Sequence, residues 1–293
     1  MDIMMGQPFA VCERGGRLNN EDSVYPQPEV SSPKQRLFIV CDGVGGSEKG
    51  EIASALACES LQTYFSSFLQ GNPTEEFINQ AVKYTESRFD DFVSSNPSAK
   101  GMATTMALLY VGTNGMTLAH IGDSRIYQFR KGQILHETVD HSLVNSLVKL
   151  GRIKPEEVSS HPQKNVILKA ISGTENPVQA EVTLITNVTP GDYFFMCSDG
   201  VMECFDDKAL SGLFEKNISS DVLKTEVLEA CNNISRDNFS FFIIPVNNVQ
   251  ETVSIKHFIL SFFYSFIKFI FIDTLFFKIN ILLYALFLTL RIA

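Results

Sequence analysis

The 293-residue sequence contains no tryptophan and six cysteines. Cys12, Cys41, Cys58, Cys197, Cys204 and Cys231 form no CxxC pair, and most sit inside apolar runs. That spacing argues against a zinc ribbon or a dithiol redox motif and points to buried thiols in a reducing compartment. Positive charge is scarce: 24 Lys and Arg stand against 33 Asp and Glu, a net charge of −9. A nucleic-acid binder normally carries a basic face, so that class is excluded. The first residues include Asp2 and Glu13 without a long apolar core, so no signal peptide is expected. Within 258–293 no run of 18 residues is free of charge, so that apolar stretch is not a clean membrane span.

Acidic residues are present in a pattern. Five short segments place a carboxylate at a strand end or turn: Asn20-Glu21-Asp22, Val40-Cys41-Asp42-Gly43, Ile121-Gly122-Asp123-Ser124, Cys197-Ser198-Asp199-Gly200 and Arg236-Asp237-Asn238. Three of them follow the apolar runs 37–41, 116–121 and 193–197. Carboxylates brought together from separate strands make an oxygen-only site for hard divalent cations. Each alone also reads as a plain turn carboxylate. An acidic pocket repels phosphate unless cations reverse its sign, so acidity and a phosphate substrate are compatible only through metal.

The 45% hydrophobic content supports a substantial core. Strands are expected over 9–13, 37–41, 104–111, 116–121, 125–129, 180–185, 193–197 and 239–246, with turn signals at 113–115, 130–132 and 190–192. The three runs between 104 and 129 read as an antiparallel meander. Helices are expected over 48–69, 74–93 and 221–232, with Thr74 as a cap followed by two glutamates. Long helices inserted among antiparallel strands suggest sheets covered by helices rather than a βαβ repeat. Residues 142–170 read as a polar surface flap with a short helix near 143–150. From about 249 the chain turns rich in Phe, Ile and Leu, interrupted by Lys268, Asp273, Lys278 and Arg291. A membrane-associated segment and an out-of-frame extension are both compatible with that tail. The expected organisation is a domain over 1–248 and a tail over 249–293.

The motifs, in order, are Arg17-Leu18-Asn19-Asn20-Glu21-Asp22, Val40-Cys41-Asp42-Gly43-Val44-Gly45-Gly46, Gly101-Met102-Ala103-Thr104-Thr105, Ile121-Gly122-Asp123-Ser124-Arg125-Ile126-Tyr127, Asp140-His141-Ser142, Ile167-Leu168-Lys169-Ala170-Ile171-Ser172-Gly173, Cys197-Ser198-Asp199-Gly200-Val201 and Arg236-Asp237-Asn238-Phe239-Ser240. Together they resemble the metal-dependent protein phosphatases of the 2C type, in particular compact bacterial members. The resemblance runs from about residue 6 to 246.

It implies an α+β fold, a four-layer αββα sandwich of two antiparallel sheets flanked by helices, with the metal centre at one end. It implies hydrolysis of phosphoserine and phosphothreonine in proteins by direct attack of a water between two Mn²⁺ or Mg²⁺ ions, with a third ion in some members. Asp42, Asp199 and Asp237 match the metal ligands, with the Gly43 carbonyl beside them. Glu21 and Asp22 match the acidic pair that holds metal-bound waters, and Asp123 matches the residue of the accessory metal. Arg17 matches the arginine that grips the substrate phosphate. The implied partners are phosphoproteins made by a serine/threonine kinase, acted on by a cytoplasmic monomer, with membrane attachment open through the tail. A phosphoprotein-binding regulator of the same fold is the alternative.

Three departures stand out. Val44 follows Asp42-Gly43 where eukaryotic members often carry histidine, so no general acid is available there. Lys169 stands where arginine is usual. The tail lies beyond the family's usual end. Among other polar residues, His120 reads as a packed core residue. His141 can be read as a general acid, though the resemblance implies a structural place near the flap, and Arg125 reads as a partner of a carboxylate or of the strand pair. Ser124, Ser198 and Cys197 have no evident base to make them nucleophiles.

Overall fold

The computed structural model describes residues 1–44, 49–158, 160–216 and 218–250. The tail expected over 249–293 therefore lies outside the described residues beyond Gln250, as do Gly45 and Gly46.

Among the described residues, twelve strands form two antiparallel sheets. They are β1 Asp2–Met5, β2 Phe9–Glu13, β3 Asp22–Tyr25, β4 Leu37–Val44, β5 Ala103–Thr104, β6 Met106–Val111, β7 Met116–Ile121, β8 Arg125–Arg130, β9 Gln133–Glu137, β10 Glu181–Ile185, β11 Asp192–Cys197 and β12 Phe239–Gln250. One sheet has the order β1-β12-β11-β8-β9, with β2 also paired to β12. The other has the order β10-β7-β6-β4-β3, with β5 paired to β4. The helices are α1 Gly50–Phe68, α2 Glu75–Ser95, α3 Leu143–Lys149, α4 Asp199–Met202, α5 Asp207–Glu215 and α6 Ser220–Ile234.

The apolar strands bury both faces, and their period of two splits each between two cores. On β4, Phe38 and Val40 face the other sheet, while Leu37, Ile39 and Cys41 face α1 and α2. On β11, Phe194 and Met196 enter the core between the sheets, while Phe195 and Cys197 pack under α5 and α6. On β12, Phe242 and Ile244 alternate with Phe241 and Ile243 in the same way. Three cores separate four layers: α1/α2, sheet, sheet, α5/α6. This is the expected αββα sandwich.

Helix starts follow capping chemistry. The Thr74, Ser142, Asp206 and Ser219 side chains accept from the third residue onward, which satisfies an otherwise orphaned amide. Three local expectations change. The run over 104–111 splits into β5 and β6 at Thr105. The expected meander breaks after β7, because β8 pairs with β11 and β9 in the other sheet. The chain crosses between sheets at Gly122, whose φ of +98° is left-handed and whose added Cβ would lie 2.7 Å from Thr105 Cγ2. The last strand also runs to Gln250 rather than 246, because β1 pairs with its end.

Candidate metal centre at one end of the sandwich

Strand pairing brings the acidic motifs to one end. Asp22 and Asp42 lie directly opposite each other on β3 and β4. Asp42 is fixed through its backbone: its N–H donates to Thr105 Oγ1 at 3.0 Å, and its carbonyl accepts from Thr105 N at 2.8 Å and Thr104 Oγ1 at 2.8 Å. Gly43 follows, its N–H donating to the Glu21 carbonyl at 3.0 Å. A Cβ on Gly43 would lie 2.3 Å from the Gly50 carbonyl oxygen, so only glycine lets β4 pass the start of α1 this closely.

From the other sheet, Asp199 opens α4 directly after β11, and Asp237 precedes β12. Gly200 meets the same constraint as Gly43, since a Cβ there would lie 2.0 Å from the Asn238 carbonyl oxygen. Asn238 closes the site. Its Oδ1 accepts from Glu21 N at 2.9 Å, and its Nδ2 donates to the Arg14 and Asn19 carbonyls at 2.7 Å each. Ser198 ties the two sheets together: its Oγ donates to Asp22 Oδ2 at 2.7 Å and accepts from Ser240 N at 2.9 Å. Arg17 Nη2 donates to Asp237 Oδ2 at 2.7 Å.

The electrostatics are those of crowded carboxylates. Burial first, then Asp199 and Asp237, push Asp22 up to about 7. Burial and the Asp199 and Asp140 charges push Asp123 up to about 7. Asp199 rises to about 6 through burial and Asp237, and Glu21 rises through burial and Glu51. Asp42 keeps some solvent contact, yet burial and the Asp22, Asp199 and Asp123 charges raise it well above the usual range. Like charges gathered this way disfavour ionisation of all of them together.

The donor set fits hard divalent cations. Every side chain at the centre offers oxygen. The Oδ1 atoms of Asp22 and Asp123 and the Oε2 of Glu51 are buried without a hydrogen-bond partner. Unpaired buried carboxylate oxygens are costly unless something positive meets them. The structure thus gathers Glu21, Asp22, Asp42, Gly43, Asp123, Asp199 and Asp237, with Arg17 at the rim through Asp237. Glu51, at the first turn of α1, escaped sequence reading. Its only signal was an acidic residue one turn into a helix following the glycine-rich motif. The supporting roles of Ser198, Thr105 and Asn238 were also missed, though all three lie inside the recognised motifs.

A second cluster does not share this character. His120, His141 and Glu181 bring ligand atoms within 4.8 Å of one another. The imidazoles, however, are stacked with an interplanar angle of 3° and centroids 4.5 Å apart. A metal must lie in the plane of each ring it binds, and two parallel stacked rings offer no shared point. His120 is a packed core residue whose Nε2 meets the Val139 carbonyl at 3.0 Å. Arg125 pairs with a carboxylate as expected, donating to both oxygens of Asp140 at 2.7 and 2.8 Å.

Comparison with known proteins agrees with this geometry. The family model described as protein phosphatase 2C matches residues 13–230. The serine/threonine protein phosphatase PstP of Mycobacterium tuberculosis is 36% identical over 194 residues, which cover 66% of this chain and 36% of that protein. The chain thus spans about a third of that relative's length. Protein phosphatase PhpP of Streptococcus pneumoniae is 30% identical over 234 residues, covering 79% of this chain and 93% of PhpP. The solved catalytic domain of PstP in complex with two manganese ions superposes with a TM-score of 0.69 and 30% identity, covering 84% of this chain and all of that one. The family match spans most of the described residues and takes in the acidic motifs of Glu21-Asp22, Asp42, Asp123 and Asp199, while Asp237 lies beyond its end. The chain belongs to the protein phosphatase 2C family.

Proposed function

We propose that this protein is a Mn²⁺- or Mg²⁺-dependent phosphatase acting on phosphoserine and phosphothreonine in proteins. The observation that carries the reading is the set of buried, unpartnered carboxylate oxygens on Asp22 and Asp123 within a cluster of carboxylates raised above their usual range. PstP, solved with two manganese ions, supports the same choice of metal.

Asp42, Asp199 and Asp237 are assigned as direct ligands, with the Gly43 carbonyl beside them. Glu21 and Asp22 would hold water around the ions, and Asp123 would hold an accessory ion. When bound, the divalent ions supply positive charge for phosphate oxygens and lower the pKa of a water placed for in-line attack. The residues do the rest. Asp22 keeps its orientation through Ser198 Oγ, and Asp42 through Thr104 and Thr105. Arg17 offers a planar fork suited to bidentate grip on phosphate. Val44 has no proton to give, so the leaving group is protonated from elsewhere.

On this reading the substrates are products of a serine/threonine kinase and the chain acts as a monomer. The 1–248 region carries the activity. Among the described residues, no helix is long and apolar enough to cross a membrane. The direct test is hydrolysis of p-nitrophenyl phosphate with Mn²⁺, expected to be abolished by chelator and by Asp199→Ala. Full activity in the chelated protein overturns the reading.

A further inference from the structure

His141 lies between two parts of the proposed active end. Its backbone N–H donates to the Gly122 carbonyl at 2.8 Å, and its Nδ1 accepts from the Gly122 N–H at 3.1 Å. These two hydrogen bonds hold the left-handed turn that delivers Asp123. On its other side, the His141 carbonyl accepts from Leu168 N at 2.7 Å, and Lys169 Nζ lies 3.4 Å from Nε2. The neighbouring Ser142 forms a bridge with Ile167, and Leu143 N donates to the Val166 carbonyl at 2.9 Å. These contacts anchor the returning end of the 142–170 flap.

We infer that His141 is a positioning residue that couples the flap to the Asp123 turn through its Nδ1 acceptor and its backbone. The inference rests on the proposed reading only for the role of Asp123; the coupling itself is a statement about the flap. Only an imidazole with an unprotonated Nδ1 can accept from Gly122. Three surroundings favour that form: burial, the stacked His120 ring and the Lys169 ammonium, all of which lower the His141 pKa to about 4. Glu181 Oε2, 3.6 Å from Nε2, opposes them. The sequence reading gives His141 only a structural place near the flap; the link through Nδ1 to the Asp123 turn comes from the geometry.

The test compares His141→Asn with His141→Leu. The two side chains are nearly isosteric, and Asn alone keeps an acceptor where Nδ1 stands. Two readouts are needed. The first is calorimetric titration with Mn²⁺, resolving the weaker site. The second is the rate of tryptic cleavage of the metal-free protein at Arg152 and Lys164, both exposed in the flap. H141L is expected to weaken the weaker Mn²⁺ site by about tenfold, as loss of an orienting partner commonly does, and to speed flap cleavage. H141N is expected to stay within about twofold of the unaltered protein on both. Equal behaviour of H141N and H141L, whether both impaired or both normal, overturns the inference. If H141L does not fold, H141A replaces it in the same comparison. Absence of Mn²⁺ binding by the unaltered protein overturns the phosphatase reading instead, and the cleavage contrast then decides the coupling alone.

Discussion

Arg17 Nη2 donates to Asp237 Oδ2 at 2.7 Å, linking the proposed phosphate grip to a proposed metal ligand. The arginine side chain is 59% exposed, so the pair is weakly held and screened by solvent. It can give way when cation and phosphate compete for its two ends.

Removing the guanidinium should therefore affect substrate more than metal. Arg17→Ala is expected to lower kcat/KM for p-nitrophenyl phosphate by about tenfold to a hundredfold, the range for a lost charge-assisted hydrogen bond, mainly through KM. Mn²⁺ affinity is expected to stay the same or tighten slightly, since Asp237 loses a competitor. Arg17→Lys should recover only part of the loss, because an ammonium lacks the fork. Steady-state kinetics with a Mn²⁺ titration check this. A variant with unchanged KM and weakened Mn²⁺ binding contradicts it.

The crowded carboxylates set a pH dependence for the metal-free protein. Asp22 and Asp123 titrate at about 7 and Asp199 at about 6 when folded, above the usual range near 4. A raised carboxylate stabilises the folded state fully below its unfolded pKa and loses that contribution as pH rises through its folded pKa. The chelated protein is expected to lose thermal stability between pH 5 and pH 8. Added Mn²⁺ should raise Tm most at pH 8, where the carboxylates must all ionise. A chelated Tm that is flat or rises over this window contradicts the crowding.

Asp192 begins β11, at the end away from Asp199, and its carboxyl shifts the opposite way. It is fully buried and accepts from Arg130 Nε at 2.6 Å, Arg130 Nη2 at 2.9 Å, Gln128 Nε2 at 2.9 Å and Thr189 N at 3.0 Å. Burial alone would raise its carboxyl, but these partners together hold it below the usual range. Such a group stabilises above its unfolded pKa and loses that contribution as pH falls through the folded one. Asp192→Ala is expected to cost about 3 kcal/mol at pH 7, in line with breaking a buried ion pair. In urea unfolding, its difference from the unaltered protein should shrink below about pH 4. A difference constant from pH 7 down to pH 3 contradicts the pairing.

Gly43 tests the close passage of β4 beside α1. Gly43→Ala places a methyl 2.3 Å from the Gly50 carbonyl oxygen and 2.5 Å from Gly50 Cα, both backbone atoms that cannot rotate away. A loss of about 1–3 kcal/mol in stability and weaker Mn²⁺ binding are expected, from overpacking that displaces the Gly43 carbonyl. Urea unfolding and calorimetry measure both. Unchanged values contradict the proposed close fit.

Much of this was legible in the chain. The β4 and β11 runs ending in Asp42-Gly43 and Asp199-Gly200 announced themselves through apolar strands stopped by an acid and a glycine. The helix capped at Thr74 followed an ordinary start signal, a threonine with two glutamates after it. Sheet membership was not legible for β8. Period-two apolar patterning reports that a face is buried, and here both faces of both sheets are buried, so Ile126 and Phe129 gave no sign of their neighbours. The short strands β3 and β9 carry too few apolar residues to stand out locally, and α5 is only nine residues long with Gly212 inside it. Tertiary packing decides them: Tyr25 joins the core under α1, and Phe214 of α5 stacks on Phe129 with centroids 4.1 Å apart. At the site, the carboxylates were visible, but Ser198, which joins Asp22 to Ser240 across two sheets, becomes meaningful only once the strands are folded together.

The most direct test of the proposed cation centre is calorimetric titration of Mn²⁺ into the metal-free protein and its Asp199→Ala variant. The expected result is binding of at least two ions by the unaltered protein, the stoichiometry of a two-metal hydrolase, with loss of at least one in the variant. Binding of no Mn²⁺, or identical stoichiometry and affinity in both, contradicts it.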